Sequence, residues 1–235
     1  MKFALKHLFA IACSVFILLS ATGCQGDSTV TSAPCSTSSV EEFISVLADT
    51  EKEDVDAFGH LWSGNPQNAE NCYNVTPKEV SAVCDIQIFK FSDSCASFAF
   101  VDGEAYEICI SLGGYGFVNA IPWDYDEDGN MDLLVASSWG SGIHRSEISV
   151  FNAVTKESVV VYSTVLTDEP DVDLIVGTYT MALSSKKPED IPASYGVFSA
   201  DIKPGDHLAD LSYESTGLVG TVYYENGEFI FDPVN

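Results

Sequence analysis

Apolar and polar positions alternate with a period of two along much of the chain after residue 84, in short runs rich in β-branched and aromatic residues. This alternation is typical of strands. Turn-forming residues separate the runs, and Asn226-Gly227 between the last two strongly favours a tight hairpin. The pattern therefore predicts a mostly β domain, built as an antiparallel sheet or sandwich. The predicted strands are 85–91, 95–101, 105–112, 116–123, 132–138, 146–153, 158–166, 172–183, 195–202, 217–224 and 228–234.

A helical period of apolar positions appears before residue 84. Ser39 and Glu42 have the spacing of a capping box, which marks the start of the first helix. Thr76 as a cap and Pro77 in the first turn mark the start of the last one. We expect the apolar stripes of these helices to pack on the β domain. The predicted helices are 40–49, 51–60 and 77–83.

The N-terminus has the organisation of an export signal. Lys2 and Lys6 form a basic start, the apolar run 8–21 follows, and small residues precede Cys24. This order resembles a bacterial lipoprotein signal, which implies that Cys24 is lipidated and that the protein is anchored to the cell envelope outside the cytoplasm. Ala21 stands where that signal usually has leucine, so ordinary signal cleavage stays open as an alternative.

Composition changes after the signal divide the chain. A small, polar stretch with one proline follows Cys24 and predicts a flexible tether. The hydrophobic content of 46% is enough to build one core in the remainder. We therefore predict a signal peptide at 1–23, a tether at 24–38 and a single β-rich domain at 39–235.

The chain is strongly acidic, with a formal net charge of −25. Such a chain repels nucleic acid and bare anionic membranes, so nucleic acid is excluded as an expected partner. The same charge favours cations and basic proteins.

Four cysteines in the predicted domain suggest disulfides in an exported protein. A three-residue loop after Phe100 would place Cys95 opposite Cys109 on neighbouring strands, within reach of a bond. Cys72 and Cys84 would then form a second pair. A two-residue Asp-Gly turn would shift the register and prevent the first bond, and buried free thiols are the alternative.

Residues 124–132 form the densest group of carboxylates, with the spacing D-x-D-x-D-G-x-x-D. The predicted ligands of one ion are the side chains of Asp124, Asp126, Asp128 and Asp132 and the backbone carbonyl of Asn130. Hard oxygen ligands at this spacing favour Ca²⁺, and without a cation the carboxylates would repel each other. Tyr125 and Glu127 are expected to point outward, and a solvated turn without metal is the alternative.

An EF-hand would need glutamate at position 12, where this chain has Val135. The shorter loop resembles the calcium loops of FG-GAP and VCBS-type repeats, found in integrin-like propellers, and this resemblance implies four-stranded blades. The segment 173–177 echoes 132–136 at a blade-like interval, although its acids lack the loop spacing. Because two units cannot close a propeller, we expect a small sheet or sandwich with one blade-like unit, or partial propeller-like blades.

A second polar group follows the outgoing strand of the loop. Arg145 is the only arginine in the chain, and we expect it to pair with a carboxylate. One candidate position for this pair is beside the acidic loop. Alternatively, Ser141, His144, Arg145 and Ser146 could hold an anionic ligand or partner.

No nucleophile elbow, phosphate loop, metalloprotease helix or dinucleotide fingerprint occurs in the sequence. The sequence therefore favours a non-enzymatic surface lipoprotein whose Ca²⁺ site stiffens a β domain that binds a protein or a glycan. The alternatives are a glycosidase-like extracytoplasmic hydrolase that uses some of the acids, and a purely structural envelope component.

Overall fold

The computed structural model describes residues 37–49, 69–109, 113–140, 142–166, 171–179 and 195–234. As predicted, they are mostly β. The helices are α1 (Thr37–Asp49) and α2 (Lys78–Ser81), with single 3-10 turns at Ala69–Asn71 and Thr164–Leu166. The strands are β1 (Cys72–Asn74), β2 (Gln87–Phe91), β3 (Ser97–Val101), β4 (Glu104–Cys109), β5 (Gly116–Trp123), β6 (Asp132–Trp139), β7 (Arg145–Phe151), β8 (Ser158–Ser163), β9 (Leu174–Thr178), β10 (Tyr195–Pro204), β11 (Leu211–Glu225) and β12 (Glu228–Pro233).

These strands form three antiparallel sheets of four, each made of consecutive strands: β1–β4, β5–β8 and β9–β12. The second sheet lies between the other two. Leu133 and Val135 of β6 pack toward the first sheet, whereas Leu134 and Ala136 pack toward the third. Burial on both faces explains why β6 is a continuous apolar run in the sequence and does not alternate.

The predicted fold class, an antiparallel sheet or sandwich or partial propeller-like blades, is confirmed. The described strands form three consecutive four-stranded meanders, where the sequence predicted one blade-like unit. The echo between 132–136 and 173–177 does not mark equivalent positions. It matches β6, the second strand of its sheet, with β9, the first strand of the next.

The helix α1 covers the outer face of the first sheet. Phe43 stacks on Phe89 with 4.3 Å between ring centroids and also contacts Phe91, Phe98 and Phe100. The predicted packing role of the apolar stripe is thus confirmed. The helix begins at Thr37, ahead of the predicted start. Among the described helices, none has the length and apolar character needed to cross a membrane.

The other predicted helices had different outcomes. The helix α2 is shorter than predicted, and Pro77, not Thr76, occupies its N-cap. The hydroxyl of Thr76 instead accepts a hydrogen bond from the backbone N–H of Ile88 at 2.7 Å, which ties the segment before α2 to β2. The predicted helix at 51–60 lies outside the described residues. The short strand β1 was not predicted.

Neither predicted disulfide forms in the structure. The β3–β4 turn consists of only two residues, Asp102 and Gly103, whose φ angles of 55° and 79° suit a tight hairpin turn. This turn shifts the predicted register by one residue, and an irregularity between Ser97 and Phe98 shifts it by one more, so Cys109 lies opposite Ser97 instead of Cys95. Burial raises the pKa of the Cys109 thiol to about 12 and also raises that of Cys95. Cys72 and Cys84 are likewise not joined by a disulfide.

Candidate cation site

The acidic loop connects β5 to β6 at one end of the second sheet. Asp124, Asp126 and Asp128 each place a carboxylate oxygen within 4.8 Å of the other two. Backbone hydrogen bonds hold this shape: the carboxylate of Asp126 accepts from the N–H of Asp128 at 3.3 Å, and that of Asp128 accepts from Asn130 at 2.7 Å. These three aspartates could hold a metal ion.

The fold permits the sharp reversal that brings the three carboxylates together. Glu127 and Gly129 both adopt positive φ angles, 58° and 88°, and the N–H of Gly129 donates to Asp124 across the loop at 3.1 Å. Gly129 tolerates this conformation because it has no Cβ. Glu127 is exposed, as predicted.

Asp132 does not belong to the group of three carboxylates within 4.8 Å of one another, and it is almost completely buried, with 1% of its surface exposed. Its Oδ1 accepts from the N–H of Ala153 at 2.7 Å. Its Oδ2 and Oδ1 of Asp124 are buried without a hydrogen-bond partner among the described residues. The pKa of Asp132 is raised to about 6, chiefly by burial; the hydrogen bond from Ala153 opposes this increase, and the neighbouring aspartates contribute to it.

Buried carboxylate oxygens without a donor are costly, and a bound cation would satisfy them. The residues present therefore fit a metal ion with oxygen ligands. Asn130 is exposed in the loop. The part of its carbonyl as a ligand stays a prediction.

Tyr125 points out of the loop as predicted, but it is half-buried and does not face solvent. Its ring turns away from the carboxylates and packs against Tyr224 and Phe229 of the third sheet, each with ring centroids 4.7 Å away. Trp123 completes the contact, at 5.9 Å. The acidic loop is thus joined by an aromatic side chain to the β11–β12 hairpin.

The turn between β7 and β8 holds the acidic loop at two places. Asn152 donates from Nδ2 to the hydroxyl of Tyr125 at 2.9 Å, while its Oδ1 accepts from the backbone of Val154 and Thr155. The next residue, Ala153, donates to Asp132. Sequence reasoning missed these supports, because no local pattern signals a contact across two turns.

The described members of the second polar group point in different directions, and anion binding by them stays a prediction. His144 lies with Nδ1 3.8 Å from a carboxylate oxygen of Asp173, which would disfavour an anion there. Ser146 is buried, and its backbone N–H donates to Thr164. Arg145 and Ser146 are consecutive in β7 and so project to opposite faces of the sheet. Ser141 lies outside the described residues.

Arg145 is also not a neighbour of the acidic loop. It pairs with Trp139 at the far end of β6, about 23 Å of strand away from Asp132. Its guanidinium lies over the Trp139 ring, 5.5 Å from the centroid. The expected placement next to the carboxylates was wrong, and among the described residues no carboxylate forms an ion pair with it.

A groove of about 440 Å³ lies along the third sheet, away from the acidic loop. Three acids line it: Asp171, Asp173 and Asp201. Burial raises the pKa of Asp173, and the proximity of His144 partly offsets this. The groove combines a poorly solvated carboxyl with further acids, which is a combination that acid–base chemistry can use.

Comparison with protein-family models, with curated proteins and with solved structures finds no match for this chain. Among the described residues, the support for the likeness to FG-GAP and VCBS repeats is the cluster of Asp124, Asp126 and Asp128.

Proposed function

We propose that this chain is an exported, lipid-anchored binding module whose β sheets are stabilised by one Ca²⁺ ion in the acidic loop. The observation that carries the proposal is the group of three carboxylates within 4.8 Å of one another. The buried Oδ2 of Asp132, which has no donor among the described residues, supports it. Ca²⁺ is favoured over softer metals because all the available ligands are oxygens.

In this proposal, Asp124, Asp126, Asp128 and Asp132 supply carboxylate oxygens and Asn130 supplies its backbone carbonyl. The ion supplies positive charge, which offsets the repulsion between the aspartates. Asn152 and Ala153 keep the loop in place through Tyr125 and Asp132. The expected effect is a stiffer connection between β5 and β6, the first two strands of the second sheet.

The cellular role rests on the N-terminal segment and on the charge. The lipobox-like sequence before Cys24 supports envelope anchorage outside the cytoplasm, where Ca²⁺ is more abundant than in the cytosol. The charge of −25 supports a protein or glycan partner and argues against nucleic acid.

Calorimetric titration of the chelator-treated chain with CaCl₂ tests the cation site. We expect a single binding event, weaker by at least tenfold in Asp126→Asn, which removes one carboxylate charge without changing its size. Glu127→Gln removes a charge from the same loop but from an exposed side chain, and it should bind Ca²⁺ as the parent does. Equal binding by all three proteins, or no binding by the parent, would show that the loop is only a solvated turn.

A hydrolase is the second candidate, and the groove beside Asp173 favours it. The pKa of Asp173 is raised, and Asp171 and Asp201 line the same groove. A glycosidase-like hydrolase uses a pair of carboxyl groups of which one has a raised pKa. A screen with chromogenic glycosides and esters tests this candidate, with Asp173→Asn as the control. Turnover that the substitution abolishes would favour the enzyme, and absence of turnover would favour the binding module. A purely structural envelope component would show neither turnover nor a partner.

A further inference from the structure

The strand β8 has an exposed outer edge. It forms the outer edge of the second sheet, and among the described residues no strand pairs with it on the side away from β7. Val159 and Val160 are 48% and 54% exposed, although they face opposite sides of the sheet. The third sheet contacts β8 near its end, where Tyr162 stacks on Phe231 of β12 with 3.9 Å between ring centroids, but it leaves both valines exposed.

The same region collects further exposed apolar side chains. Val154 in the turn before β8 and Val165 just after it are 56% and 43% exposed. Together with Val159 and Val160, they form most of the large exposed apolar residues in the described part of the chain. Scattered single exposures need no explanation, but a cluster along one edge does.

Edge strands usually carry charges, proline or a bulge that prevent pairing with another chain. The segment Ser158–Ser163 contains no charged residue and no proline, in a protein with 35 acidic residues. One device is present: the pairing with β7 skips Val161, which forms a bulge and adds local twist. A short partner strand can still pair on either side of it.

We propose that the β8 edge, Ser158–Ser163, accepts an extended segment of a partner protein as an additional strand, and that this segment has alternating apolar residues flanked by basic ones. Backbone hydrogen bonds would supply the affinity, and the exposed valines would favour apolar side chains opposite them. This inference specifies the partner in the proposed function and does not depend on the cation site.

The charges around the edge select the partner. Glu157 is exposed directly before β8, and Glu147 lies beside its last residue. Lysine or arginine at the ends of the incoming strand would meet these acids. A second copy of this chain would bring the same acids and a net charge of −25, so like charges would oppose its docking.

A defined peptide tests the proposal. The probe is a fluorescein-labelled peptide of eight residues, alternating valine and threonine with a lysine at each end, added to the full chain in non-ionic detergent. We expect saturable anisotropy, and a dissociation constant at least tenfold weaker for the same peptide with glutamate ends. A peptide N-methylated at every valine and threonine should not bind, because it cannot donate backbone hydrogen bonds.

Matched variants locate the binding surface. Val160→Lys places a charge on the edge and should weaken binding at least tenfold. Val83→Lys changes a valine that is equally exposed, at 54%, but lies outside the sheet, and it should leave binding unchanged. Absence of binding by the parent, equal weakening in both variants, or binding of the N-methylated peptide would overturn the proposal. So would a concentration-dependent dimer in sedimentation that Val160→Lys abolishes, since that result would assign the edge to a second copy. Removal of Ca²⁺ by a chelator tests the cation site separately.

Discussion

The side-chain amide of Asn119 in β5 pairs with the backbone of Val176 in β9. Its Nδ2 donates to the Val176 carbonyl at 2.7 Å and its Oδ1 accepts from the Val176 N–H at 3.0 Å. The strand β9 is the edge of the third sheet, so the amide occupies a position that a neighbouring strand would otherwise take. The buried side chain of Asn119 thus links the second and third sheets by two hydrogen bonds.

Asn119→Ala should lower the free energy of unfolding by about 2–4 kcal/mol, because it leaves both a buried N–H and a buried C=O of Val176 unpaired. Urea denaturation followed by tryptophan fluorescence measures the change. Ser212→Ala, which removes an exposed hydrogen bond to the Lys203 carbonyl, should cost less than about 0.5 kcal/mol. If both substitutions lower the free energy of unfolding by the same amount, the Asn119 amide does not stabilise the contact between the two sheets.

The seam between the first and second sheets is closed in a related way. The Nζ of Lys90, which is 1% exposed, donates to the Phe117 carbonyl at 2.9 Å, and the Ser97 hydroxyl accepts from the Phe117 N–H at 3.1 Å. Burial lowers the pKa of Lys90 to about 8. Side chains from one sheet therefore satisfy the backbone of the neighbouring edge strand at both seams.

Elements set by local chemistry could be predicted from the sequence. The strand β5 was predicted with its observed bounds, because turn residues delimit an apolar run on both sides. The clustering of Asp124, Asp126 and Asp128 followed from their spacing, since alternate residues of a tight loop turn inward.

The arrangement that depends on contacts distant in sequence could not be predicted. No sequence motif includes Lys90 or Asn119. Each of them nevertheless forms hydrogen bonds that link two neighbouring sheets. The predicted pairing of Cys95 with Cys109 was wrong for two local reasons. The sequence Val101-Asp102-Gly103 allowed two turn lengths, and a second shift between Ser97 and Phe98 had no sequence signal.

The thiol of Cys95 should react slowly with iodoacetamide in the native chain. It is 3% exposed, and burial raises its pKa, so little thiolate is present and little reagent reaches it. Peptide mapping by mass spectrometry should find Cys95 and Cys109 unmodified after native labelling and fully modified after unfolding. The added thiol of Ser158→Cys, at an exposed position, should label at once. A Cys95–Cys109 disulfide in the purified chain would contradict the observed register.

Cys24→Ser should release the protein from the membrane fraction of a bacterial expression host, because the residue that the lipoprotein signal would modify is then absent. Cell fractionation followed by immunoblotting measures this, and Cys35→Ser in the predicted tether is the matched control. Retention of Cys24→Ser in membranes, or release of both variants, would argue against a lipid on Cys24.

Acidification should affect the Ca²⁺-free and Ca²⁺-loaded proteins in opposite directions, and Asp132 is the residue that should cause the difference. Its folded-state pKa of about 6 lies above the ordinary 3.8, so the folded chain holds a proton that the unfolded chain loses between these values. Without Ca²⁺, the stability that protonation of Asp132 contributes is therefore fully present below pH 4 and is lost as the pH rises to 6. The pKa difference corresponds to roughly 3 kcal/mol.

The melting temperature of chelator-treated protein should rise as the pH falls from 7 to 5. With saturating Ca²⁺ it should fall over the same range, because protons compete with the ion for the carboxylates. Asp132→Asn should remove much of the pH dependence of the Ca²⁺-free protein, whereas Asp85→Asn, a change at an exposed aspartate outside the loop, should preserve it. If the melting temperature of Asp132→Asn depends on pH as that of the parent does, then Asp132 does not titrate in this range. Protonation of Asp132 would then not explain a competition between protons and Ca²⁺.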